Sequence, residues 1–222
     1  MDSTASRRAF LGAMTAASYS RVLGANERIR IGFIGCGLIG LRHIADFKKL
    51  PDAQLAAVSD AYDARTDRAA GDCGTNPAKY KDFRKLLEDK SVDAVVISTP
   101  DHWHALQTIM ACAAGKDVYV EKPMTLFVKE GRWMVNAARK YNRIVQVGTQ
   151  GRSGPHMKEV VPAVKNGDLG KIVSVRIASF RNIMPGFGRP APSDPPPGLD
   201  YDMWRGPSPN KPYTLHRCLY NF

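Results

Sequence analysis

Residues 29–40 read I-R-I-G-F-I-G-C-G-L-I-G, an apolar run that empties directly into three glycines, Gly35, Gly37 and Gly40. Each glycine answers a different steric demand of a strand–turn–helix that grips a dinucleotide pyrophosphate. Gly35 permits the tight turn, Gly37 lets the backbone approach the phosphates, and Gly40 lets the following helix pack closely on the strand. That helix opens with Leu38 and Ile39, and its free N–H groups and dipole face the anion. Glycine-rich turns are common, so the motif carries weight only because a strand and a helix flank it.

A second strand, Leu55 to Ser59, ends at Asp60. A carboxylate at that strand end accepts hydrogen bonds from the adenosine ribose and repels a 2′-phosphate, which favours NAD over NADP. Arg65 lies near enough to stack on adenine or to accommodate a phosphate.

Strand and helix then alternate at short spacing. Ala61 to Cys73 reads as a helix, as does the stretch carrying Leu86 and Leu87 after Tyr80-Lys81-Asp82-Phe83. Asp93 to Thr99 is a β-branched apolar run, the sign of a strand covered on both faces. Helices are expected over His102–Ala114 and Lys129–Tyr141, and strands over Asp117–Glu121 and Ile144–Gly148. The alternation calls for an α/β doubly wound parallel sheet, a Rossmann domain spanning residues 26–150.

From Gly151 the character changes. A helix is expected over Pro155–Asn166 and an alternating strand over Gly170–Phe180, and residues 185–197 then carry six prolines. Proline cannot donate to a sheet ladder, so that stretch is a loop. Residues 151–222 therefore read as the start of an incomplete α/β substrate domain, and the chain as the C-terminally truncated front of a longer protein. At the other end, residues 1–25 read as a twin-arginine signal: S-R-R-A-F-L at positions 6–11 precedes a small-residue stretch from Gly12 to Ser18. This predicts a periplasmic or otherwise exported protein, and a cytoplasmic one if the tag is not functional.

The bulk properties exclude several classes. At 222 residues and 44% hydrophobic, the chain can bury one good core and part of a second. It has no apolar run of the roughly 18 residues that a membrane span needs. The formal charge of +11 is spread along the chain. There is no basic block with interleaved aromatics, so nucleic acid is not an expected partner. The four cysteines show no C-x-x-C spacing, which argues against a disulfide framework or a metal site. His102 and His104 do not share a helix face, so they are not a metal pair either. Trp103 and Trp133 read as core or interface aromatics.

In an open parallel sheet, ligands bind beyond the carboxyl ends of the strands. Three segments fall there: Ser98-Thr99-Pro100-Asp101-His102-Trp103-His104, Glu121-Lys122-Pro123, and Gly148-Thr149-Gln150-Gly151-Arg152. Together, G-C-G-L-I-G, S-T-P-D-H-W-H-A and V-E-K-P resemble the Gfo/Idh/MocA family (glucose–fructose oxidoreductase, inositol 2-dehydrogenase and relatives) over roughly residues 28 to 182. The tag and G-T-Q-G-R-S resemble an exported bacterial branch.

The resemblance implies an NAD(P)-dependent oxidoreductase acting on a secondary hydroxyl of a sugar, cyclitol or related polyol. Lys122 would approach that hydroxyl and assist proton transfer. Glu121 would lie against the nicotinamide ribose or carboxamide, and Pro123 would fix the turn. Ser98, Thr99, Pro100 and His104 would line the nicotinamide side, with Gln150 and Arg152 as substrate contacts. The family's Asp and general-base His would fall beyond Phe222, and the complete protein would be a homo-oligomer. Two other readings stay open, an NAD-dependent glycosidase and a non-catalytic nucleotide-binding module.

Overall fold

The computed structural model describes residues 28–178 and 188–218. The expected signal at residues 1–25 lies outside them. Six strands form one parallel sheet: β1 (Ile29–Ile34), β2 (Ala53–Ser59), β3 (Ala78–Tyr80), β4 (Ala94–Ile97), β5 (Asp117–Glu121) and β6 (Val145–Gly148). Their order across the sheet is β3-β2-β1-β4-β5-β6. That order is the doubly wound arrangement with its switch point between β1 and β4.

The crossovers run through α1 (Leu38–Phe47), α2 (Asp63–Cys73), α3 (Phe83–Glu88), α4 (Asp101–Ala113) and α5 (Val128–Lys140). Beyond β6 follow a 3-10 turn (Gln150–Ser153), α6 (Pro155–Asn166) and a short α7 (Tyr201–Arg205).

Alternation along each strand feeds two cores, one per face. Val95 and Ile97 join a cluster with Leu86, Ala105, Val120 and Met134, under α3, α4 and α5. Val96, one residue between them, points the other way and packs with Phe33, Ile44, Val58 and Ala69, under α1 and α2. All three β4 side chains are buried, which is why the strand reads as continuously apolar. Each full burial of such a side chain contributes about 1.5–3 kcal/mol.

Register then aligns the functional ends. Ile34 pairs with Ser59 on one side and Ile97 on the other, and Ile97 pairs with Val120. Gly35, Asp60, Ser98 and Glu121 consequently emerge along one edge of the sheet.

Two expectations fail. The short β3 sits where only a lead into a helix is expected; Ala78, Lys79 and Tyr80 carry no β-branched signal, and pairing with β2 makes them a strand. The alternating strand over Gly170–Phe180 does not form among its described residues 171–178. Val173 and Ile177 are 84% and 90% exposed, and no described strand pairs with the segment.

Trp103 matches its reading, packing edge-on against Phe83, whereas Trp133 is exposed at the surface. The four cysteines are buried and unbonded. No helix of the described residues is long and apolar enough to cross a membrane.

Candidate functional site

Gly35 closes β1 with φ +88°, and a Cβ there would lie 2.7 Å from the Ser98 carbonyl carbon. A Cβ on Gly40 would lie 2.0 Å from the Gly35 oxygen. The chain itself demands both glycines. Gly37 is different: its φ is −77°, open to any residue, and the nearest atom to a Cβ there would be Arg65 Nη1 at 3.9 Å. Among the described residues nothing forbids a side chain at Gly37. Gly37 is also the N-cap of α1, which has no side-chain cap and no acidic residue in its first turn. Its leading N–H groups and positive end are left for an anion.

Asp60 fastens this loop from below. Its Oδ2 accepts from the Cys36 N–H at 2.8 Å and its Oδ1 from the Tyr62 N–H at 2.9 Å. Burial pushes the Asp60 carboxyl above its ordinary range, opposed by the Cys36 amide and the Arg65 charge. Burial also pushes the Cys36 thiol far up, which makes it a filler and not a nucleophile.

The Ser98–His104 segment divides its work. Ser98 forms the floor beneath the glycine turn, and its hydroxyl is buried without a hydrogen-bond partner. Thr99 Oγ1 donates to Gln107 Oε1 at 2.7 Å. His102 donates to the Trp204 carbonyl. His104, expected beside the nicotinamide, is 1% exposed. It spends both ring nitrogens on backbone carbonyls, those of Pro123 at 2.6 Å and Thr99 at 2.7 Å.

At the end of β5, the Lys122–Pro123 peptide is cis and the Lys122 side chain is exposed. Glu121 lines the cleft. Its carboxylate is buried and taken by the chain's own donors: His43 Nε2 at 2.7 Å, the Lys122 N–H at 3.0 Å and the Gln150 amide. The Gln150 amide donates to Glu121, and Arg152 is exposed outside the cleft wall.

These elements enclose a cleft of about 590 Å³ that runs from Asp60 and Arg65, past Gly37, Leu38 and Ile39, to Thr99, Pro100 and Lys122. The size lies within the range of cofactor sites. An open Gly37, an uncapped helix start and a carboxylate at the β2 end all fit a dinucleotide.

One wall escaped the sequence reading. Residues 198–218 fold back over the β2 end: Asp63 N donates to Gly198 O, and Arg65 Nη2 donates to Cys218 O at 2.9 Å. Trp103 Nε1 donates to Trp204 O at 2.9 Å, and Met203, Trp204 and Cys218 line the cleft. His43 was missed as well, although its place one turn beyond Gly40 puts it on the inward face of α1.

Comparisons with known proteins agree with this geometry. The model of the Gfo/Idh/MocA oxidoreductase family, described by its NAD-binding Rossmann fold, matches residues 29–149. A myo-inositol 2-dehydrogenase of Thermotoga maritima is 35% identical over 175 residues, 78% of this chain and 48% of that protein. A glycosyl hydrolase family 109 protein of a Shewanella species is 32% identical over 155 residues, 66% of this chain and 34% of that one. The scyllo-inositol dehydrogenase of Lactobacillus casei, solved with NAD(H) and scyllo-inositol, superposes with a TM-score of 0.61 at 27% identity. That match covers 65% of this chain and 43% of that one. The chain spans about half the length of the myo-inositol 2-dehydrogenase it matches.

Proposed function

The chain belongs to the Gfo/Idh/MocA oxidoreductase family with its NAD-binding Rossmann fold, and from that premise we propose that the protein oxidises or reduces a secondary hydroxyl of a cyclitol or sugar with NAD. The observation that carries this reading is one continuous cleft with an open Gly37 at the phosphate turn and Lys122 at the other end. Bound NAD supplies a two-electron acceptor for the hydride of the substrate carbon. The chain's residues do the rest. Gly35, Gly37 and the first turn of α1 hold the diphosphate, and Asp60 takes the ribose and disfavours a 2′-phosphate. Thr99 and Pro100 wall the nicotinamide side. Lys122 stands at the mouth, where its amine handles the hydroxyl proton and steadies negative charge on the substrate oxygen.

The inositol dehydrogenases among the relatives support a polyol as substrate, and the complete protein is proposed to be a homo-oligomer. The paired arginines Arg7 and Arg8 support an exported protein. The test is NADH formation by the complete protein with myo-inositol and scyllo-inositol. Binding of NAD without turnover of any polyol would favour the non-catalytic module.

The glycosyl hydrolase relatives favour a second reading, transient oxidation at a sugar carbon that enables glycoside cleavage. Release of the aglycone from an aryl glycoside with no net NADH would select it.

A further inference from the structure

Two histidines from different helices meet the Lys122 turn from opposite sides. His43, from α1, is 8% exposed and holds the Glu121 carboxylate at 2.7 Å. His104, from α4, is 1% exposed and holds the Pro123 carbonyl at 2.6 Å. Lys122 lies between the two anchored residues. Among the described residues its own Nζ makes no hydrogen bond or ion pair. The point from which that ammonium reaches is its backbone, and its backbone is held by its neighbours.

We infer that His43 and His104 are positioning residues that pin the Glu121-Lys122-Pro123 turn from both sides and so fix where the Lys122 ammonium stands in the cleft. The inference rests on the reading of Lys122 given above.

The atoms support a positional role over a filling one. His104 sets one ring nitrogen against the Pro123 carbonyl and the other against the Thr99 carbonyl, at 2.6 and 2.7 Å. The ring thus ties the end of β4 directly to the residue after Lys122. Carbon atoms at those distances would clash, so a flipped ring is excluded.

His43 has the same logic. It rises from the helix whose first turn faces the diphosphate and ends on the carboxylate that also receives the Lys122 N–H at 3.0 Å. The Tyr119 ring, 5.2 Å away and edge-on, keeps the imidazole in place. A buried charged or hydrogen-bonded pair is a poor route to stability, because desolvation offsets its attraction. Its use here is geometric, since a misplacement of about 1 Å costs on the order of 100-fold in rate.

The experiment labels Lys122 with limiting acetic anhydride in the 222-residue chain, with and without saturating NAD, and counts acetylated peptide by mass spectrometry. Lys129, exposed on α5, serves as the internal standard. NADH affinity is read by fluorescence and folding by far-UV circular dichroism. In the parent chain NAD should shield Lys122. In His43→Ala and His104→Ala, at NAD concentrations that saturate each variant, the shielding should fall by about tenfold, the scale of lost outer-shell support.

His43→Gln keeps a donor for Glu121 and should restore the shielding. His104→Gln reaches one carbonyl, not two, and should not. Unchanged shielding in both alanine variants overturns the proposal, as does a parent chain in which NAD gives Lys122 no shielding. So does a His104→Gln variant indistinguishable from the parent. If an alanine variant fails to fold, the two glutamine variants decide by the same contrast. Polyol turnover surviving in Lys122→Ala would remove the catalytic role of Lys122 and leave the labelling result standing, so the two failures are told apart.

Discussion

Alanine at Gly37 should separate what the fold needs from what the ligand needs. The built Cβ has only Arg65 Nη1 within 4 Å, at 3.9 Å, and φ is −77°. Replacing glycine there reduces the freedom of the unfolded chain, worth about 0.4–1 kcal/mol in favour of folding. Against this stands the poorer N-cap, a cost on the order of 0.5–1 kcal/mol. The two nearly cancel, so Gly37→Ala should melt close to the parent. Gly40→Ala should not: its Cβ would stand 2.0 Å from the Gly35 oxygen, and overpacking of that kind costs about 1–3 kcal/mol or more.

For NAD the order reverses. A methyl on Gly37 occupies the surface that the diphosphate approaches, and loss of about 2.8 kcal/mol is a 100-fold weaker Kd. Thermal melts without cofactor and calorimetry with NAD measure both quantities. A Gly37→Ala chain that binds NAD as tightly as the parent would refute the placement of the diphosphate. A Gly37→Ala chain that unfolds would refute the claim that the fold leaves room there.

Asp60→Asn removes the charge but keeps an acceptor for one of the two amides that Asp60 now holds. The ratio of NADP to NAD affinity should rise by about tenfold, or about 1.4 kcal/mol, in a paired titration; an unmoved ratio would take the ribose away from Asp60. Lys122→Ala in the complete protein should abolish polyol-dependent NADH formation while NAD affinity stays unchanged by calorimetry. Burial holds the His102 imidazole below its ordinary value of about 6.5. The unfolded chain therefore takes up that proton first, and stability falls as pH drops from about 6.5 toward the folded-state pKa. Urea titrations across that range should show this slope, and a His102→Asn variant should flatten it.

Much of the fold was legible because both of its signals are local. Steric demands at Gly35 and Gly40 act within the turn, and the β-branched run at β4 records burial on two faces. Helix bounds at Pro155–Asn166 match the expectation because Pro155 opens the helix and Gly167, at φ +84°, closes it. Where the fold differs from expectation, the missing information is the partner. Residues 78–80 become a strand through β2, and residues 171–178 alternate like a strand but pair with none among the described residues.

The same division explains the site. Gly37 and Asp60 could be singled out as candidates because both follow from position in a strand–turn–helix. What holds the Glu121 carboxylate was not legible, because its partner His43 lies 78 residues away in the chain. Trp204 and Cys218 wall the cleft only because 198–218 returns to the β2 end through contacts with Ala61, Asp63 and Arg65. A motif shows which atoms face a ligand; it does not show which are already committed to the protein. The V-E-K-P sequence therefore marks its carboxylate and its ammonium as equals. The geometry separates them: the Glu121 carboxylate accepts from three internal donors, whereas the Lys122 side chain is exposed.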